Sequence, residues 1–408
     1  MNLYLIKLGK AIKTIQRDGI IRGGKRVFTA FFSMFRWVGT GDVLFITGGV
    51  GDSALYRAFH VAEELELHGF RCSVTLQDNP LLATYADKFS IFIFHRTLYV
   101  GGVVKLIEKI KQQNKEIIFE TDDLVYDPKY LEHMDYFKQI NALEKKLYEN
   151  GVGGEILRDP YVKVCTTTTT FLADKLKEEG KKVFIVPNKL SNRDVEIADE
   201  ILAQKTAQRL SLLSAKGISE AEPQENIRIG YFSGTNSHNK DFATIVDALM
   251  EIMEKYPQVR LVLVGPLDVE NKLNRFNEQI ERLAFVPRAK HFENKASVDI
   301  ALAPLELDNP FCESKSENKF SESGLLEIPT VAVANQTFRE AISDGVDGFV
   351  ARDTAEWVEK LEKLITDKEF RINMGKLARD KVVLKYTNKN SNNEEYYEYL
   401  RHRMSNAQ

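Results

Sequence analysis

From residue 39 onward the chain alternates short apolar runs with longer amphipathic stretches. The first runs are DVLFIT (42–47), FRCSVTL (70–76), FSIFIFH (89–95), KEIIFET (115–121), YVKVCTTT (161–168) and KKVFIVPN (181–188). Runs so short and so continuously apolar predict strands covered on both faces, joined by helical crossovers into a parallel sheet. Helices are expected over about 53–68 and over FLADKLKEEG (171–180), with the threonine run 166–170 as strand end and helix cap. Residues 191–224 break the rhythm, being polar and helix-forming without a strand and ending in SEAEPQEN, which reads as a connector. The alternation then restarts with IRIGYFSG (227–234), VRLVLVGP (259–266), VDIALAPL (298–305), PTVAVA (329–334) and DGVDGFVAR (344–352). Amphipathic helices are expected over 242–257, 321–327 and 355–365, and a terminal helix within 386–408. The fold class is therefore α/β, with two successive βαβ domains at 39–190 and 225–385. Ligands of open α/β sheets bind at the carboxyl ends of the strands, so the expected site is a cleft where two such edges face each other.

The first 38 residues follow another pattern. As a helix, they put Leu5, Leu8, Ile12 and Ile15 on one face and Lys7, Lys10, Lys13 and Arg17 on the opposite one. Phe28, Phe31, Phe32 and Phe35 follow, with Arg36 and Trp37 beside them. Charges interrupt every apolar run and no small-residue cleavage site follows, so this is not a secretory signal. Two readings stand: an interfacial helix pair on an anionic membrane surface, or an arm packed on the protein's own body.

Composition narrows the class. The 408 residues carry 56 Lys and Arg against 59 Asp and Glu, a net charge of -3 that advertises no nucleic-acid partner. That balance hides an asymmetry, since residues 1–38 are +7 and the remainder -10. The 3 cysteines, Cys72, Cys165 and Cys312, are too scattered for a disulfide framework or a zinc cluster and fit a reducing, cytoplasmic setting. No apolar run of about 18 residues occurs, which excludes a helix that spans a bilayer.

Candidate chemistry sits at the predicted strand ends. In FCESKSENKFSESGLLEIPTVAVA, Lys315, Lys319 and Glu322 fall at i, i+4 and i+7 and are expected on one helical face, with Glu313 just before them. A carboxylate there can accept from a ribose diol, and lysines beside it can meet a diphosphate; a salt-bridged solvent face is the alternative. Two glycine turns follow first strands, TGGVGDS with Gly48, Gly49 and Gly51, and SGTNSHNK with Gly234, Thr235, His238 and Lys240. Glycine lets backbone amides approach a ligand, although neither turn has dinucleotide or P-loop spacing. Asp122, Asp123 and Asp127 end one strand, where they can act as bases, hold an ion or cap the next helix. His95 and Arg96 end another.

Together these landmarks resemble the family 4 glycosyltransferases, sugar transferases of the GT-B type found in bacterial surface-polysaccharide assembly. The resemblance covers roughly residues 40–385 and rests on TGGVGDS, the DD after a strand, VFIVPN, IGYFSGTNSHNKDF, DIALAPL and KFSESGLLEIPTVAVA with DGVDGFVA following. In the family the last block holds two glutamates, of which the second binds the nucleotide ribose; Glu322 matches it. The first glutamate's place is Ser314, flanked by Glu313 and Lys315, a departure similar to a polysaccharide-cluster branch in which Lys-Ser replaces the acid. The family's diphosphate-binding lysine corresponds to Lys240, accompanied here by His238, and its first-domain histidine corresponds to about Asp122.

The resemblance implies two facing Rossmann-like domains, a terminal helix crossing back to the first, and donor binding with no metal or other cofactor. It implies a nucleotide-diphosphate sugar and a glycan or lipid-linked acceptor as partners, on the inner face of the plasma membrane if the basic arm docks there. The expected catalytic set is Asp122, Asp123, Glu313 and Lys315. Gly234, Thr235, His238, Lys240, Lys319 and Glu322 would bind donor, while Gly48, Gly49, Gly51, His95 and Arg96 would line the acceptor side. Two other functions fit the same scaffold: a sugar-nucleotide epimerase or hydrolase, and a degenerate, membrane-recruited binding protein.

Overall fold

The computed structural model describes residues 3–133, 137, 145–146, 150–215, 226–234, 239–265, 267, 271–284 and 286–405. They form two compact units, one of residues 1–188 with 392–408 and one of residues 189–391. Thr235, His238 and the stretch 216–225 lie outside the described residues, as do the side chains of Leu5, Leu8, Lys7, Lys10, Lys13 and Arg17.

The first unit is built on six parallel strands: β1 (Val43–Thr47), β2 (Cys72–Leu76), β3 (Ile91–His95), β4 (Glu116–Glu120), β5 (Val164–Thr167) and β6 (Lys182–Ile185). Their order is β2-β1-β3-β4-β5-β6, so the winding direction reverses between β1 and β3. Every residue of β1, β3 and β4 is buried, the consequence of helices on both faces and the reason these runs read as continuously apolar. Register then does something the runs do not announce. Thr47 pairs with His95, His95 with Glu120 and Glu120 with Thr166, which lines four polar side chains in one row across the carboxyl edge. The helix Glu394–Ser405 belongs to this unit, where Tyr396, Tyr397 and Leu400 enter the core around Phe45, Leu65 and Phe184. Tyr397 donates to Glu64 at 2.5 Å and stacks on His68 at 4.1 Å, while Tyr399 donates to Glu116 at 2.8 Å.

The second unit repeats the plan with β7 (Ile227–Phe232), β8 (Val259–Val264), β9 (Ile280–Leu283), β10 (Ile300–Ala303), β11 (Thr330–Val333) and β12 (Phe349–Ala351). The order is β12-β11-β10-β7-β8-β9, with the reversal between β7 and β10. β9, an edge strand reading IERL with no fully buried residue, has no apolar run to betray it and is not among the strands expected from sequence. Residues 192–215, expected as a connector, form the helix Asn192–Ala215 and are tied into this unit. Asp194 near its start accepts from Ser191 N and is held by Arg288, and Asp199 further along pairs with Arg379. No helix among the described residues is long and apolar enough to cross a membrane.

Candidate functional site

In the first unit the polar row of the carboxyl edge is completed by the turn after β1. Thr47 Oγ1 lies 3.1 Å from His95 Nδ1, and Ser53 Oγ lies 2.9 Å from His95 Nε2. Ser53 commits its one hydrogen to Asp122 at 2.7 Å, so His95 Nε2 donates to it. Arg96 Nε donates to the other Asp122 oxygen at 2.6 Å and Arg96 Nη2 to Asp123 at 3.1 Å. Burial alone pushes the Asp122 carboxyl up, but the Arg96 charge, His95 and the Ser53 hydroxyl outweigh it and hold the group well below the usual carboxylate range. Asp122 is thus a partly shielded carboxylate acceptor after β4, tied to Ser53 and His95 at the ends of β1 and β3 where the winding reverses.

Asp123 has a different task. Its side chain caps the turn Leu124–Tyr126, accepting from Leu124 N at 2.9 Å, and shares Arg96 with its neighbour. Of the three roles left open by sequence, the structure shows capping at Asp123, whose carboxylate is shared between Leu124 N and Arg96.

The glycines also separate. A Cβ on Gly48 would stand 2.0 Å from the Arg96 carbonyl, and Arg96 itself sits at φ 47, in the left-handed region that a bulky residue occupies only under strain. The ends of β1 and β3 therefore approach too closely for any other residue at 48. Gly49 and Gly51 are exposed, at ordinary φ, and a Cβ on either meets nothing within 4 Å. Gly48→Ala is expected to destabilise by about 1–3 kcal/mol through overpacking, while Gly49→Ala stays within about 0.5 kcal/mol of wild type. Melting curves of the two variants check this, and equal losses would refute it.

Beneath the row lies a buried ion pair. Arg57, wholly buried in the π-helical turn Leu55–His60, reaches Glu120 through Nε at 2.8 Å and Nη2 at 3.0 Å. Its remaining donor serves the Val186 carbonyl at 2.6 Å and Asn188 at 3.0 Å, and Thr166 donates to the second Glu120 oxygen. Arg57 stays charged because Glu120 offsets the cost of burying it.

In the second unit Glu322 is the centre. The helix that carries it is Asn318–Gly324, preceded by the short helix Pro310–Glu313. Lys315 falls between the two, so the helical face expected to join Lys315, Lys319 and Glu322 does not form. A buried Ser314, whose hydroxyl bonds the Phe311 carbonyl at 2.8 Å, ends the first helix there. What surrounds Glu322 instead comes from the helix Arg288–Ala296. Lys295 Nζ lies 3.0 Å from one oxygen, His291 Nε2 3.4 Å from the same oxygen, and Arg288 Nη1 3.4 Å from the other. The three bases recur at i, i+3 and i+7, a helical face that spacing alone reveals but that sequence reading passed over. Burial raises the Glu322 carboxyl, yet Lys295, His291 and Arg288 hold it well below the ordinary range.

The lysines here lie over aromatic rings of β7. Lys295, almost fully buried, lies 4.9 Å from the Phe232 ring centre, and Lys319 lies 5.6 Å from that of Tyr231. Burial, and then the positive charge of Lys295, push the Lys319 ammonium down to about 8. Glu313 reaches the start of the helix Gln336–Ala341, where Gln336 N donates to it at 3.4 Å. Lys315 stacks 4.0 Å from the Phe311 ring centre. Lys240 is exposed in the helix Asn239–Ala243, and Gly234 is exposed at the end of β7. Asp241 beside it is buried and accepts from Glu306 N and Cys312 Sγ, each at 3.3 Å, which ties the β7 turn to the turn after β10. Asp241, Glu306 and Cys312 bring one possible metal ligand each within 4.8 Å, but burial drives the Cys312 thiol up and keeps it a proton donor to Asp241.

Comparison with known proteins gives this arrangement a context. Residues 226–367 match the family model described as Glycosyl transferases group 1. No curated protein matches the chain. Among solved structures, Anabaena HepE in complex with UDP and glucose is 14% identical, with a TM-score of 0.58 over 89% of this chain and 100% of its own. A glycosyltransferase from Rickettsia africae is also 14% identical, with a TM-score of 0.57 over 89% of this chain and 99% of its own. Sucrose-phosphate synthase from Thermosynechococcus elongatus is 12% identical, with a TM-score of 0.55 over 90% and 97%. Residues 226–367 thus match a group 1 glycosyl transferase model over about a third of the chain, and the chain as a whole shares the GT-B fold of these solved structures.

Proposed function

We propose that this protein moves a sugar, with retention, from a nucleotide-diphosphate sugar to a glycan or lipid-linked glycan in surface-polysaccharide assembly. The observation that carries the reading is Glu322, kept ionised among Arg288, His291 and Lys295 in the matched domain. An ionised carboxylate can accept from both hydroxyls of a ribose, and the Arg288 and Lys295 charges beside it suit a diphosphate. Lys295 and Lys319 supply positive charge where the leaving diphosphate develops negative charge, the kind of interaction that usually lowers such a barrier most. The departing phosphate oxygen can then take the acceptor proton, so no strong base is required, and no metal enters the scheme. On the first unit, Asp122 and Arg96 beside the exposed Gly49 and Gly51 suit the hydroxyls of an acceptor. The complexes of HepE with UDP and with UDP-glucose support a uridine nucleotide as the first donor class to test.

A thermal-shift panel of UDP-, GDP-, dTDP- and CMP-linked sugars tests the reading, because a ligand that binds the native state raises its melting temperature. One nucleotide class is expected to stabilise the protein, and sugar release from that donor should require an added acceptor. Release without acceptor would turn the assignment to a hydrolase.

Lys319 adds a pH signature. With its ammonium titrating at about 8 in the free protein, a bound diphosphate raises that value and nucleotide binding takes up a proton. The dissociation constant is then expected to rise as pH increases from 8 to 9, by at most about tenfold per unit. Lys319→Arg, charged throughout, should flatten the profile. An unchanged slope in the arginine variant would remove Lys319 from the diphosphate site.

A further inference from the structure

The helix Leu3–Ser33 is broken at Gly19, where φ is 79. Beyond the break the chain folds back, since a Cβ on Gly23 would stand 2.6 Å from Ile15 Cα. In an unbroken helix those two positions would be about 12 Å apart. Gly23 is therefore the contact between two helical segments packed side by side. Counting roughly 100° per residue from Gly23, the Phe28 and Phe32 side chains point about 140° and 180° away from that contact and Phe31 about 80°. They are exposed, and so are Ile20 and Ile21 at the tip, 83% and 87% respectively. Phe28 and Phe32 have ring centres 4.3 Å apart and Phe31 and Phe35 5.5 Å apart, which makes one continuous aromatic surface. Its base is seated on the first unit: Arg36 lies 5.0 Å from the Phe59 ring centre, Asn79 donates to the Arg36 carbonyl at 3.3 Å, and Val38 is buried. Trp37, 81% exposed, continues the surface beside Lys88. Lys25, exposed, shares the helical edge of Phe28 and Phe32 at i+3 and i+7.

We propose that this face docks onto an anionic lipid bilayer, with its rings at the headgroup level and its basic side chains against lipid phosphates. Two independent features select that partner. Exposed aromatic and isoleucine side chains on a helical pair match the boundary between headgroups and acyl chains. The +7 charge of residues 1–38, carried by a protein whose remainder is -10, complements an anionic headgroup layer while the acidic body is repelled from it. The inference stands apart from the sugar-transfer reading, because no nucleotide or acceptor enters its test.

The test is sedimentation of the full chain with vesicles of phosphatidylcholine alone or mixed with phosphatidylglycerol, at low and high salt. Binding is expected to the anionic vesicles only and to fall steeply with salt. Phe31→Ser combined with Phe35→Ser should lose at least about tenfold in vesicle affinity while melting as wild type. Leu384→Ser, which removes an exposed leucine in the second unit, should bind as wild type. Absence of binding, equal binding to neutral vesicles, or full binding by the double serine variant would each overturn the proposal. A dimer seen by light scattering without lipid, and abolished by the same two serines, would give the face to a second copy instead.

Discussion

Glu322→Gln is expected to weaken nucleotide-diphosphate binding by at least tenfold, about 1.4 kcal/mol, and to lower the melting temperature of the second unit. The affinity loss follows from geometry. Glutamine offers one acceptor oxygen where the carboxylate offers two, and its amide hydrogens point a donor at a ribose hydroxyl. The stability loss follows from charge. Lys295 is almost fully buried with Glu322 at 3.0 Å, and His291 and Arg288 lean on the same group at 3.4 Å. Neutralising the centre leaves the buried Lys295 ammonium without its counter-charge and beside the half-buried Arg288, and removing one partner of a buried pair costs about 3–5 kcal/mol. A retained amide and the second partner of Arg288, Asp194, place the expected loss at the lower end. The sign with pH is fixed by the lowered Glu322 pKa. Its contribution is present above the ordinary glutamate range and is lost as pH falls through the depressed native value. Calorimetric titration with each nucleotide measures the first effect, and unchanged affinity for all of them would sink the ribose assignment.

Arg57→Met should be the most damaging single change in the first unit. Glu120 receives two hydrogen bonds from Arg57, and the pair lies in the core under the carboxyl edge. Methionine restores the volume but strands the Glu120 charge, along with the Val186 carbonyl and Asn188 that Arg57 serves. The expected cost is about 3–5 kcal/mol, enough to unfold a marginal domain. Arg57→Met with Glu120→Gln removes both charges and should recover much of that loss. Chemical denaturation of the single and double variants reads the coupling. If the double variant is no better than the single, the stranded charge is not the cause and packing around Arg57 is.

Several features of the site were legible in residue order, and the misses have physical reasons. Glu322 is legible as a candidate because it stands just before a buried strand, and Asp122 because two acids follow another; the structure places each in an ion-paired cluster. Lys315 was placed on the Glu322 face by counting 3.6-residue turns, but the helix Pro310–Glu313 ends before it and the next begins at Asn318. Arg288, His291 and Lys295 escaped notice because a charged face at i, i+3 and i+7 usually meets solvent. The strand β9 escaped because an edge strand half in water carries no apolar run. Ser53 was one hydroxyl in a loop until the register of β1 against β3 set Thr47 beside His95.

Periodicity by itself determined two α/β units and the strands buried on both faces, because covering both sides of a sheet leaves little freedom in residue type. Charge counting determined the split between a +7 arm and a -10 remainder. Tertiary structure alone decided which ions meet: Arg57 with Glu120, Arg96 with Asp122, and Lys295 with Glu322. These partners are 63, 26 and 27 residues apart in the chain, and no local pattern encodes pairings made across a sheet or between helices. Burial, with the charge of Lys295 beside it, then pushes the Lys319 ammonium down to about 8, a consequence of tertiary placement alone.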